Sequence, residues 1–215
     1  MMFHDRTDAA LRLARDLRQY DFHDPVVLGI PRGGVLTAAV LARELGAECD
    51  VALVRKLRAP AQPELAIGAI AEDGEVHVSA FAEQVGADEE SLAREKQERL
   101  GELEQRSRMF REIRPRAALA GRSIILTDDG IATGSTMLAA IDVVRASSPR
   151  DLTVAIPVAP PDRIGRIRDR VDRVVCLATP EGFAAIGIHY EEFDQVSDEE
   201  ACEALREAAA VKAGE

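Results

Sequence analysis

Residues 124–136 read IILTDDGIATGST. The apolar run with Ser123 in front of it predicts a buried strand over 123–127, and the small and hydroxylated residues after it predict a loop feeding a helix over 134–147. Two aspartates, Asp128 and Asp129, sit side by side at the strand's C-terminal edge, where open α/β sheets bind ligands. Buried together they would repel, and one would tend to keep its proton. The pair makes sense if each carboxylate meets hydroxyl donors or a cation. A ribose supplies vicinal hydroxyls, and Mg²⁺ prefers carboxylate and phosphate oxygens. The loop that follows offers successive backbone N–H groups and the hydroxyls of Thr133, Ser135 and Thr136 at a helix N-terminus, which is a cradle for a phosphate. No Lys follows the glycine, so it is not a Walker A loop.

On either side the chain alternates strand and helix. An amphipathic helix is predicted over 7–19, a buried strand over 25–30 (PVVLGI), a helix over 35–46 closed by Gly46, and a second buried strand over 50–54 (DVALV). RKLRAPAQPE (55–64) carries two prolines and is expected to be irregular. LAIGAIAEDGEVHVSA is expected to form a hairpin turning at Asp73-Gly74. Residues 88–113 form a long, highly charged helix with an apolar stripe of Leu92, Leu100, Leu103, Phe110 and Ile113. Beyond the quoted stretch come a strand over 151–159, a short helix over 162–170 and a strand over 172–178. A last helix starts near Ser197, where Ser197 and Glu200 match a capping box. The alternation predicts an α/β fold: a doubly wound, mainly parallel sheet of about five strands, flanked by helices.

With 215 residues, the chain is expected to form one domain, with a core over about 25–178, a loop and hairpin over 55–79, and a tail over about 179–215. The formal net charge of −11 speaks against a nucleic-acid binder, which needs concentrated Lys and Arg. No apolar run approaches the roughly 20 residues of a membrane span. The N-terminus lacks the apolar core of a secretory signal. Cys49, Cys176 and Cys202 have neither metal-like spacing nor an even count, so free thiols in a reducing cytoplasm are expected. Of 27 basic residues only Lys56, Lys96 and Lys212 are lysines.

ILTDDGIATGST resembles the signature of type I phosphoribosyltransferases: an apolar strand, two acidic residues and a loop ending in T-G-x-T. The resemblance implies Mg²⁺-dependent transfer of ribose 5-phosphate from phosphoribosyl diphosphate (PRPP) to a nitrogenous acceptor, with release of diphosphate. It implies that Asp128 and Asp129 contact the ribose hydroxyls and are available to the Mg²⁺ that PRPP carries, and that Gly130, Ile131, Ala132, Thr133, Gly134, Ser135 and Thr136 hold the 5′-phosphate. GIPRGG (29–34) ends a strand and starts a helix, where the family binds the diphosphate, often through an unusual cis peptide. Here that loop is Ile30, Pro31, Arg32, Gly33 and Gly34. VRKLRAPAQPELAIGAI (54–70) falls where the family carries a mobile loop that closes over the diphosphate. Arg55 and Lys56 would stabilise the leaving anion and Arg58 would bind it, since cations aimed at developing charge lower the barrier. RKL…P…PELAIGAI together with DDGIATGST is also similar to a branch of bacterial phosphoribosyltransferases whose acceptor base is not established.

The pattern departs from the hypoxanthine-guanine enzymes, which place an aspartate immediately before the T-G of the phosphate loop. Here that position is Ala132, which argues against a 6-oxopurine handled in that way. The acceptor is expected to meet a hood built from chain ends. FAAIGIHYEEF (183–193) offers Phe183, Tyr190 and Phe193 for stacking, and His189 and Glu191 as candidate bases. The same aromatics could instead pack the tail onto the core. The alternative to an enzyme is a PRPP-binding regulatory or interaction protein that has lost chemistry. Homodimers are common in the resembled family.

Overall fold

The computed structural model of the protein describes residues 1–60, 62–79 and 82–212. Five strands form the main sheet: β1 Val26–Gly29, β2 Glu48–Val51, then β6 Ser123–Thr127, β7 Asp151–Val158 and β8 Arg173–Ala178. Their order is β2-β1-β6-β7-β8 and every pairing is parallel. Strands β3 Val54–Ala59, β4 Gln62–Ala71 and β5 Val76–Val78 form a separate antiparallel sheet. The helices are α1 Arg6–Leu17, α2 Gly33–Leu45, α3 Glu89–Arg111, α4 Ser135–Ala146, α5 Pro161–Arg168 and α6 Asp198–Lys212.

The central strands are apolar throughout because both sheet faces are covered. Alternate residues go to opposite sides, as the pleat requires. Val27, Ile125 and Ala155 face one core with Leu13 of α1, Leu41 of α2 and Leu205 of α6. Val26, Leu28, Ile124, Leu126 and Val154 face a second core with Met137 of α4 and Ile164 of α5. The small sheet is sandwiched in the same manner: Leu57 and Ile70 join the first core beside Leu103 and Phe110 of α3, while Val54, Ala69 and Ala71 join the second.

From β1 the chain steps to β2 on one side, and later returns through β6 to β7 and β8 on the other. The switch point lies between β1 and β6, with Gly29 in register with Thr127. The loops that follow these two strands therefore emerge side by side, at the place where doubly wound sheets bind ligands.

Two local expectations need correction. The strand expected over 50–54 is two strands in different sheets: β2 stops at Val51 and β3 starts at Val54. Between them the Ala52 N–H donates to the Gly29 carbonyl at 2.9 Å. The expected irregular segment 55–64 is mostly strand. Pro60 lies past the end of β3, and Pro63 falls where the pairing slips, since Ala59 pairs with Gln62 but Arg58 pairs with Ala66. A proline costs little in a bulge because no ladder hydrogen bond is asked of it there. Elsewhere the elements follow the pattern. The Asp73-Gly74 turn joins β4 to β5, with Gly74 at φ +80°. The capping box closes α6 reciprocally: the Ser197 N–H donates to Glu200 Oε2 at 2.7 Å and the Glu200 N–H to Ser197 Oγ at 3.1 Å.

The N-terminal arm and the tail pair with each other. Phe3 bridges to Tyr190, with Phe3 N–H donating to His189 O at 2.8 Å and Glu191 N–H to Phe3 O at 2.9 Å. Cys49, Cys176 and Cys202 are unpaired thiols. No helix among the described residues is long and apolar enough to cross a membrane.

Candidate active site

The site is built by two loops in direct contact. After β1 the chain passes Ile30, whose N–H donates to the Thr127 carbonyl at 3.0 Å. It then turns at Pro31-Arg32, a cis peptide, and enters α2 at Gly33. A Cβ on Gly33 would lie 1.9 Å from Oδ2 of Asp129, and one on Gly34 would lie 2.8 Å from Cα of Asp128. The close approach of one loop to the other thus leaves no room for a Cβ at Gly34, and leaves room for one at Gly33 only if the Asp129 side chain moves. The sequence separates these motifs by about a hundred residues; the switch point brings them together.

After β6, Asp128 and Asp129 stand at the sheet edge, both half-buried. Withdrawal from water and the neighbouring Asp129 charge push the Asp128 carboxyl well above the usual carboxylate range. Asp128 Oδ1 accepts from the Asp129 N–H at 2.9 Å. Asp129 has a cation of its own: Nε of Arg6, the first residue of α1, donates to its Oδ2 at 2.8 Å, and both side chains are only 13% exposed. The two carboxylates are therefore inequivalent: Asp129 is paired with Arg6, and Asp128 is shifted upward by burial and by its neighbour.

The rest of the loop arches over to α4. The Ile131 N–H donates to Val158 O at 2.9 Å, which rests the loop on the end of β7. Ala132 and Thr133 are exposed, Thr133 Oγ1 lies 3.2 Å from Ser135 Oγ, and Gly134 caps α4 at φ +77°. That conformation suits glycine, and the first N–H groups of α4 have no acceptor within the helix. The aliphatic stem of Arg163, on α5, lies 3.9 Å from where a Cβ of Gly134 would be.

The basic hairpin divides by face. Arg55 donates to Glu102 at 3.1 Å, and Arg58 donates to Glu95 through both its backbone N–H at 3.2 Å and its Nε at 3.0 Å. Arg99, 8% exposed, sits among Glu95, Glu98 and Glu102 and completes the network on α3. Both arginines are thus tied to α3. Lys56 is opposite Ala69 across the β3–β4 ladder, on the face shared with Val54 that packs toward α4. Among the described residues Lys56 has no ion-pair partner.

The tail lies against the carboxylate pair. Tyr190, 6% exposed, donates from its hydroxyl to the Asp129 carbonyl at 2.6 Å. Burial, with the Asp129 charge second, raises its phenol well above the ordinary value. Its ring stacks on Phe193 at 4.7 Å and meets Phe3 at 5.2 Å. Phe183 stacks on His189 at 5.7 Å. Ile186 covers Gly130, where a Cβ would lie 2.6 Å from its Cγ2. The Tyr190 ring is thus committed to packing, which is one of the two roles expected of the tail aromatics. His4 Nδ1 lies 2.9 Å from Glu191 Oε2 on the exposed side of the tail.

Arg6 was not legible in the sequence. It is one of many arginines in a charged N-terminal helix, and its partner is 123 positions away. The only local sign is its place just after the N-cap of α1, which puts it at a helix end near the sheet edge.

The phosphoribosyl transferase domain model matches residues 3–191. The chain belongs to this family. It is 45% identical over 203 residues to a protein of Mycobacterium tuberculosis, strains H37Rv and CDC 1551, whose name assigns it provisionally as a phosphoribosyl transferase. That match covers 93% of this chain and 45% of the relative, so the chain spans about half the length of the curated relatives it matches. The crystal structure of TT1426 from Thermus thermophilus superposes with a TM-score of 0.93 at 44% identity, covering 96% of this chain and 99% of that one. The phosphoribosyltransferase fold expected from the Asp-Asp motif is therefore the fold of this chain.

Proposed function

We propose that the chain binds PRPP across the two loops at the β1/β6 switch point and transfers its ribose 5-phosphate to a nitrogenous acceptor, most simply a nucleobase, releasing diphosphate. The observation that carries this reading is the interlock itself, with the Pro-Arg-Gly-Gly turn pressed against the Asp128-Asp129 pair so that one ligand reaches both. In this reading Asp128 and Asp129 accept the ribose hydroxyls. Gly130 to Thr136 hold the 5′-phosphate through backbone N–H groups and hydroxyls, and Ile30 to Gly34, with the Arg32 side chain, hold the diphosphate. Lys56, on the α4 side of the small sheet and not tied to α3, is the cation proposed for the leaving group.

Bond breaking at the ribose C1 generates an oxocarbenium-like centre and a leaving diphosphate. The chain contributes cations at the leaving group, carboxylates that fix the sugar and a hairpin that excludes water. Among the described residues no group of three or more His, Cys, Asp or Glu side chains could cage a metal ion. Mg²⁺ would therefore arrive on the diphosphate, with Asp128 and Asp129 as the carboxylates the chain can add, and would neutralise charge on the leaving group. Phe183 is the tail ring proposed for the acceptor, since Phe193 is stacked on Tyr190 and covered by Arg6, and a reducing cytoplasm suits the three free thiols.

A PRPP-binding protein without turnover is the second reading. One observation favours it: the expected catalytic Arg55 and diphosphate ligand Arg58 are both held by glutamates of α3. Titration calorimetry of PRPP with and without Mg²⁺, followed by a diphosphate-release assay over a panel of bases, separates the two. Binding with release supports the transferase, and binding without release over the whole panel supports the sensor. No PRPP binding overturns both.

If the transferase reading holds, Lys56→Ala should cut turnover about 100-fold with PRPP affinity changed little, the scale of losing one preorganised group at developing charge. Arg55→Ala, which removes a side chain already paired with Glu102, should cost far less. Steady-state rates of diphosphate release check both. An Arg55 loss equal to the Lys56 loss would contradict the division of the hairpin by face.

A further inference from the structure

Arg6 makes three different contacts from one guanidinium. Nε donates to Asp129 Oδ2 at 2.8 Å, Nη1 donates to the Asp194 carbonyl at 3.0 Å, and Cζ lies over the Phe193 ring, 3.9 Å from its centroid. Phe193 stacks on Tyr190, whose hydroxyl returns to the Asp129 carbonyl at 2.6 Å. The contacts close a circuit through α1, the loop after β6 and the tail. Asp129 is held at its side chain by Arg6 and at its backbone by Tyr190. Its Oδ1 accepts no hydrogen bond among the described residues. The Arg6 Nε also lies 3.2 Å from where a Cβ of Gly33 would be, so the guanidinium is wedged where the two ligand loops meet.

We propose that Arg6 is a positioning residue for the ribose site: by engaging Oδ2 of Asp129 it turns Oδ1 toward the ligand, and it ties that orientation to the tail segment 190–194. The inference rests on the reading of Asp129 as a ribose contact. The residue type follows from the geometry. A planar fork donates in two directions while stacking on a ring, and a lysine ammonium does only part of this. The alternative, an ion pair that merely pins the N-terminal helix, makes a different prediction. It would lower the melting temperature when Arg6 is replaced and leave the folded protein's affinity for both ligands unchanged.

The test is a double-mutant cycle read by calorimetry with PRPP and with ribose 5-phosphate, at fixed Mg²⁺, on the full chain. Arg6→Met should weaken both ligands about tenfold, the equivalent of about 1.4 kcal/mol. The effect should disappear when Arg6→Met is made in an Asp129→Ala background, which removes both carboxylate oxygens and retains Asp128. Arg6→Lys should restore part of the affinity, and it serves as the test variant if Arg6→Met does not fold. Melting temperatures taken alongside identify a purely structural loss. Unchanged affinity in Arg6→Met, or an equal loss in both backgrounds, overturns the inference and leaves the PRPP site standing. A wild-type protein that binds neither ligand overturns the site reading and this inference with it.

Discussion

Asp128→Asn combined with Asp129→Asn is expected to reduce PRPP binding below detection while the protein stays folded. Each carboxylate that accepts a ribose hydroxyl makes a charge-assisted hydrogen bond, and such bonds contribute about 1.5–3 kcal/mol. Losing two of them, together with the carboxylates' attraction for a ligand-borne cation, weakens binding by about 10²–10⁴-fold or more. The single variants should diverge in stability because the two carboxylates live in different surroundings. Asp128 is held above its unfolded value by burial and by Asp129. At neutral pH the folded state therefore disfavours its ionised form, and Asp128→Asn removes that penalty and should raise the melting temperature. Asp129→Asn leaves Arg6, 13% exposed, without its counter-charge and should lower it. Calorimetry and thermal denaturation of the three variants check the set. Unchanged PRPP affinity in the double variant would remove Asp128 and Asp129 from the site.

How much of this could be read in advance depended on the range of the interactions. Strand β6 and its loop were legible because their causes are local. A run apolar on both faces belongs to the middle of a parallel sheet, and Gly, Thr and Ser after two acids leave few alternatives to a loop and helix start. The pairing of β1 with β6 leaves no mark in strands that are apolar on both faces, and only the resemblance to the family implied that the two glycine-bearing loops serve one ligand. The hairpin was misread because proline is a local signal and a bulge is not. Nothing near Pro63 says that the ladder between Arg58 and Ala59 will slip to receive it. Which basic residue is tied to α3 was also hidden. Arg55 and Lys56 are neighbours in sequence, and only the packing of α3 on one side of β3 and α4 on the other separates them. Arg6 lay furthest out of reach, since an ion pair 123 positions apart leaves no mark in composition or periodicity.

The two glycines that join the loops should fail in different ways. Gly34→Ala puts a methyl 2.8 Å from Asp128 Cα and 2.9 Å from the Thr127 carbonyl oxygen, both backbone atoms in or beside β6. Neither can move without separating α2 from the central sheet. Overpacking of this kind costs about 1–3 kcal/mol or more, equivalent to a fall in melting temperature of about 2–12 °C for a chain of this size. Gly33→Ala puts its methyl 1.9 Å from Asp129 Oδ2 and 2.6 Å from its Cγ, atoms at the end of a side chain. The carboxylate can swing away, breaking its bond to Arg6 and leaving the backbone in place. Neither glycine is left-handed, so space rather than backbone conformation sets both effects. Gly33→Ala should therefore melt within a few degrees of wild type yet bind PRPP at least about tenfold more weakly, the equivalent of one displaced ligand contact. Gly34→Ala should lose stability first, and its binding only as a consequence. If Gly33→Ala keeps full affinity, Asp129 does not need its observed orientation to hold the ligand, and the role of Arg6 falls with it. If both variants lose stability equally, the junction is a packing contact, and the closeness of the two loops then ceases to support a shared ligand.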